Sequence, residues 1–271
     1  MKNLVEFSRR YGSDPELVLA GGGNTSMKEN GILYVKGSGC SLSTIEEENF
    51  VAMNLDKLLG ILNKEYPTAD KEREAQFLAD VGAAKLPGEE KKRPSVEALL
   101  HGLFRQRYVL HLHPALVNGL TCGKEGKRIA EELFPKAIWV DACRPGYTLA
   151  KLLSDRISPE TDTVLLQNHG VFYASEKLLD GMMTALKNRL PGEIPETLEE
   201  AELSKPFTPD HIVYCGVGPE LPDTENAHLL YRDAQKINWY AKSFGGPLPL
   251  EKELVDFILN WEAESYRKKQ S

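Results

Sequence analysis

Val109-Leu110-His111-Leu112-His113-Pro114 is the stretch whose residue types and spacing hold the most chemistry in this chain. In an extended strand successive side chains alternate faces, so His111 and His113 share one face while Leu110 and Leu112 point into the opposite layer. Two neutral imidazoles on a rigid strand offer two nitrogen ligands to one divalent cation. One partly exposed and one hydrogen-bonded histidine would meet the same spacing, and spacing alone leaves both readings open. The company of the pair adds weight to the metal reading. The chain has six histidines, and a third, His169, lies in Leu166-Gln167-Asn168-His169-Gly170, an apolar strand ending in a turn. Three histidines with a nearby carboxylate would make an open catalytic metal site.

Two glycine-rich stretches could supply a second kind of chemistry. In Ala20-Gly21-Gly22-Gly23-Asn24-Thr25-Ser26 three glycines let the backbone bend and approach a ligand closely, although a flexible turn has the same composition. Asn30-Gly31 lies between strand-like runs at 25–28 and 32–36, which is a hairpin signal. The second run leads into Lys36-Gly37-Ser38-Gly39, so the hairpin brings both glycine loops to one end. Backbone N–H groups there, with Asn24, Ser38 and Lys36 as further donors, could cradle a phosphate. Pro94-Ser95-Val96-Glu97 has the residues of a helix start, with Ser95 as its cap, and that terminus suits an anion. Glu97 has a plain alternative role there, as a first-turn acid complementing the helix dipole.

These residues need elements to hold them. The hydrophobic pattern predicts helices over 4–11, 56–64, 69–85, 114–120, 124–134, 147–155 and 176–189, and strands over 50–55, 108–113, 137–140, 163–167 and 171–174. Six prolines break the chain between 190 and 222 around one expected strand, 211–215. Two amphipathic helices follow, over 225–243 and 250–268. Their stripes, Leu229, Leu230, Ala234 and Ile237 in one and Leu254, Phe257, Ile258 and Trp261 in the other, must be covered by the core or by a partner.

With 271 residues, 41% apolar and 27% charged, the chain has the make-up of a soluble globular protein with a sizeable core. A net charge of -7 without a basic stripe argues against a general nucleic-acid binder. No run of about 18 apolar residues exists, and the start lacks the apolar core of a signal peptide, so a cytoplasmic location without membrane attachment is expected. Cys40, Cys122, Cys143 and Cys215 are scattered with no CxxC, which fits reduced thiols.

Taken in order, Gly22-Gly23-Asn24-Thr25-Ser26, Lys36-Gly37-Ser38-Gly39, Pro94-Ser95-Val96-Glu97, His111-Leu112-His113 and Asn168-His169-Gly170 resemble the class II aldolase/adducin family. The resemblance assigns 1–190 to a class II aldolase/adducin-like domain. It leaves 191–271 as a Pro-rich connection and two-helix extension, packing on the core or on a neighbouring subunit. It implies an α/β fold of three layers, α/β/α, with a mainly antiparallel central sheet, assembled as a tetramer with sites near subunit boundaries. It further implies Zn2+ or another divalent metal on His111, His113 and His169, Glu97 as general acid/base, and substrate phosphate on Gly23, Asn24, Ser38, Gly39 and Ser95. The implied reaction is retro-aldol cleavage of a ketose phosphate through a metal-stabilised enediolate. A 4-epimerase, a dehydratase or a sugar-acid-phosphate decarboxylase would use the same site, and an adducin-like interaction module would keep the fold without the chemistry. Fuculose-phosphate aldolase also uses a tyrosine from a neighbouring subunit, for which Tyr147 and Tyr173 are candidates by position. Asp141-Ala142-Cys143-Arg144-Pro145 and the extension depart from the short aldolases.

Overall fold

A computed structural model describes residues 1–174 and 176–261. Its centre is one sheet of seven strands: β1 (Asn24–Glu29), β2 (Ile32–Lys36), β3 (Phe50–Asn54), β4 (Tyr108–Leu112), β5 (Ile138–Val140), β6 (Thr163–Leu166) and β7 (Gly170–Tyr173). The order across the sheet is β3-β2-β1-β4-β7-β6-β5, and every neighbouring pair is antiparallel except β5 with β6. The β1–β2 hairpin turns as its Asn-Gly pair predicts, with Asn30 at φ 52° and Gly31 at φ 75°. Both glycine loops therefore leave the same end of the sheet.

Helices cover both faces. On one side lie α1 (Lys2–Gly12), α5 (Ala115–Thr121), α6 (Gly126–Leu133), α8 (Glu176–Lys187) and α9 (Glu225–Ala241); on the other lie α2 (Leu55–Gly60), α3 (Asp70–Ala83), α4 (Ala98–Leu103) and α7 (Tyr147–Ser154). Last in the chain is α10 (Lys252–Asn260). The alternation in β4 sorts its side chains as expected. Leu110 and Leu112 enter the core under α5, and Val109 enters the opposite core with Phe172 and the α4 leucines.

Three expected elements differ. The helix expected from 94–95 begins at Ala98, with Glu97 at the N-cap position and Ser95 outside it, where the Ser95 hydroxyl accepts the Glu97 N–H at 3.2 Å. The helix over 56–64 shortens to α2 followed by a 3-10 turn, Ile61–Asn63. The expected strand 211–215 is a π-helical turn, His211–Cys215. That segment packs against α9 and is not part of the sheet, so its backbone groups pair locally as a helix does, and its β-branched residues become apolar cover.

The extension packs on the core of its own chain. Ala234, Ile237 and Tyr240 of α9 join Leu116 and Leu120 of α5 in one buried cluster, whereas Leu229 points outward at 41% exposure. Ile258 and Trp261 are buried, Ile258 packing with Ile212 and Val255, and the expected continuation of α10 to 268 lies outside the described residues. Ile237 is fully buried. Ile237→Ala should therefore lower the stability of the whole chain by about 3 kcal/mol, read from urea unfolding as one cooperative transition; an unchanged midpoint would mean that α9 is an appendage.

Candidate active site

His111 lies on β4, His113 just beyond it, and His169 in the turn between β6 and β7. Pairing of β4 with β7 sets His111 opposite Phe172, and the two rings stack at 4.2 Å. Gly170 must be glycine for this approach, because a Cβ there would lie 2.5 Å from the Leu112 carbonyl oxygen and 2.7 Å from His113 Cδ2. Beside it Asn168 takes φ 57°, and its amide donates to the Phe207 and Leu248 carbonyls at 3.1 and 2.7 Å. The turn carrying His169 is thereby tied to the extension. One ring nitrogen from each of the three histidines lies within 4.8 Å of the others.

The hydrogen bonds assign the tautomers. His111 Nδ1 donates to the Val171 carbonyl at 3.2 Å, and His113 Nδ1 donates to Asp210 Oδ2 at 2.5 Å. With Nδ1 engaged in each ring, Nε2 is the nitrogen each turns to the centre, and the two lie 2.9 Å apart. Glu97 Oε1 lies 3.2 Å from His111 Nε2 and 3.6 Å from His169 Nε2, buried and with no hydrogen-bond partner among the described residues. Ring nitrogens and a carboxylate oxygen converging on one buried point suit a shared cation, which could take all of them as ligands. Burial pushes the His111 pKa down and that of His169 down to about 3, so both rings are held in the neutral form that binds metal. The donor set fits a divalent ion.

A second chain of contacts aims Glu97. Asn24 Nδ2 donates to Glu97 Oε2 at 2.7 Å, which leaves Oε1 as the oxygen that faces the histidines. Asn24 Oδ1 accepts from His101 Nε2, and His101 Nδ1 accepts from the Ser26 hydroxyl at 2.8 Å. His101 is fully buried, and burial drives its pKa well below the usual histidine range. It follows Glu97 by one helical turn, a spacing that could have flagged it in the sequence. Register does the rest, because β1 sets Asn24 directly opposite His111.

The expected phosphate residues are brought together. Gly23, Asn24, Ser38, Gly39 and Ser95 line one cavity that reaches Glu97 and His113. A bridge between Gly37 and Pro94 joins the second glycine loop to the stretch before α4, and the Ser38 N–H donates to the Arg93 carbonyl at 2.9 Å. Lys36 Nζ donates to the carbonyls of Gly21 and Gly23 at 3.0 and 2.7 Å, so it clamps the first loop from beneath. The Asn24 amide holds Glu97 through one Nδ2 hydrogen and His101 through Oδ1, and its second Nδ2 hydrogen remains for the cavity that it lines.

Residues 2–186 match the family model of the class II aldolase and adducin N-terminal domain. The chain belongs to the class II aldolase and adducin family. An uncharacterized oxidoreductase of Bacillus subtilis, YuxG, is 32% identical over 183 residues, 63% of this chain but only 26% of that much longer protein. An L-fuculose phosphate aldolase of Methanocaldococcus jannaschii is 27% identical over 183 residues, 66% of this chain and 86% of its own. Among solved structures, the N-terminal class II aldolase domain of a conserved protein from Thermoplasma acidophilum superimposes with a TM-score of 0.55 at 28% identity, covering 64% of this chain and 82% of that one. No described helix is long and apolar enough to cross a membrane.

Some parts of the chain lie outside what its motifs suggested. Tyr147 packs at a tilt against Tyr66 and Phe77, with ring centroids 4.6 and 5.9 Å apart, and the Tyr173 hydroxyl donates to Met182 Sδ at 2.9 Å; neither tyrosine lines the cavity of its own chain. Tyr214, from the π-helical turn, instead accepts the Gly21 N–H at 3.1 Å. Asp141, Cys143 and Pro145 line a groove on the His169 side together with Leu250, Leu254 and Ile258 of the extension. Asp210 and Tyr214 lay hidden in the Pro-rich connection, where no periodicity marks a face.

The buried histidines make the metal-free protein acid-sensitive. His101, His111 and His169 stay neutral in the folded chain, with His169 at about 3, while an unfolded chain takes up protons near the ordinary value of 6.5. The unfolded state then binds more protons, so their contribution is fully present above that value and is lost as pH falls below it. Urea midpoints of chelator-treated protein should drop between about pH 7.5 and pH 5; equal midpoints would show that these rings are not buried neutral.

Proposed function

We propose that this chain is a zinc-dependent sugar-phosphate lyase that cleaves a ketose phosphate by a retro-aldol reaction. The observation that carries the reading is the convergence of His111 Nε2, His113 Nε2 and the unpartnered Glu97 Oε1 on one buried point beside His169. His111, His113 and His169 would hold the ion, which when bound supplies Lewis acidity where negative charge develops as the carbon–carbon bond breaks. The chain's own residues do the remaining work. Gly23, Asn24, Ser38, Gly39 and Ser95 bind the phosphate from the loop side of the cavity and fix the reacting carbons beside the histidines. Glu97 Oε1 takes the proton that leaves the substrate hydroxyl and returns one to the carbon that has lost its neighbour, while Asn24 keeps Oε2 out of the exchange. The family relationship supports a phosphorylated sugar as substrate, and assembly as a homotetramer belongs to the same proposal.

A panel of ketose phosphates, read for dihydroxyacetone phosphate with and without zinc, tests the reaction class. Metal-dependent release is the expected outcome. An epimerised, dehydrated or decarboxylated product would move the assignment to a sister reaction, and turnover of none of them would remove it. Glu97→Gln keeps size and hydrogen bonding but cannot exchange the proton. It should hold zinc and substrate while kcat falls about 100-fold, and normal turnover in this variant would make Glu97 a helix-start acid only. Ser38→Ala should raise KM for the phosphorylated substrate much more than for its unphosphorylated analogue; equal changes would assign the loop a structural role.

A further inference from the structure

We propose that Asp210, in the extension beyond the family's matched segment, is a positioning residue that orients and strengthens the metal ligand His113. The inference rests on the metal reading of the histidine triad. Asp210 Oδ2 accepts the His113 Nδ1 proton at 2.5 Å, with 3% of the aspartate and 8% of the histidine exposed. A carboxylate on Nδ1 fixes the proton there, leaves the lone pair on Nε2, and makes that nitrogen a better donor to a cation. His111 has its Nδ1 on a backbone carbonyl, so of these two rings only His113 is oriented by a side chain.

The surroundings are built to bring the carboxylate in. Gly22 leaves the room it occupies, since a Cβ there would lie 2.8 Å from Asp210 Oδ2 and 3.2 Å from His113 Nδ1. Asp210 immediately precedes the π-helical turn, and Tyr214, four residues on, grips the same glycine loop at the Gly21 N–H. His211 in that turn donates from Nε2 to Asp233 Oδ2 of α9 at 3.2 Å, both side chains being buried, and α9 is in turn packed on α5. Upstream, the Phe207 carbonyl is held by the Asn168 amide beside His169. The extension is thus fixed on either side of Asp210, which makes the carboxylate part of a rigid frame around the metal centre.

The test uses the full chain, with zinc affinity from chelator competition and the visible spectrum of the cobalt(II) form. His113→Ala serves as the reference for loss of a ligand. Asp210→Ala should weaken zinc binding by about 10- to 100-fold and shift the cobalt bands at saturating metal. Asp210→Asn, which keeps an acceptor oxygen for the Nδ1 proton but not the charge, should recover part of both. Wild-type affinity and an unchanged cobalt spectrum in Asp210→Ala would overturn the proposal. If that variant does not fold, wild-type affinity in Asp210→Asn overturns it instead. A wild-type chain that takes up no zinc and shows no effect of His113→Ala would fail the metal centre itself, a result distinct from failure of Asp210.

Discussion

Two imidazole Nε2 atoms lie 2.9 Å apart, and a buried carboxylate oxygen sits 3.2 Å from one of them. Such an arrangement is unfavourable in itself, and a folded chain keeps it only if stronger contacts hold each group from behind. Those contacts are a backbone carbonyl behind His111, a carboxylate behind His113, and the Asn24–His101–Ser26 relay behind Glu97. The atoms at the centre are thereby placed where one divalent cation could take them as ligands.

The sheet makes this possible by stacking short-range certainties. β4 places His111, its neighbour β1 places Asn24 opposite, and its other neighbour β7 supplies Phe172 as a platform and Gly170 as a gap. A slip of one residue in either pairing would turn these side chains to the other face, into the apolar layer under α5. Both hydrophobic cores therefore work for the site, because leucines on one face and the Phe172 cluster on the other lock the register.

Much of this was legible wherever local rules decide geometry. Period-two alternation put His111 and His113 on one face, Asn30-Gly31 folded the hairpin, and the hairpin joined two glycine loops at one end. Glu97 was harder, since its neighbourhood reads as an ordinary helix start; only the resemblance to the class II aldolases lifted it out, and its N-cap position leaves the side chain free to face the histidines. The residues behind the ligands could not be read at all. Asp210 acts on a histidine 97 positions away in the chain, and its π-helical neighbour carries a β-branched run that local propensity assigns to a strand. Contacts made only by tertiary packing leave no period in the sequence.

The way the centre spans the chain has an outcome for the stability of the whole fold. Its atoms come from the start of α4, from β4, from the β6–β7 turn and, one contact further out, from the extension that α9 clamps to α5. An ion bound there interacts with the native arrangement and with nothing comparable in the unfolded chain, so its free concentration enters the folding equilibrium by mass action. Loss of such an ion would lower the stability of every element at once, because the pieces of the centre come from across the chain.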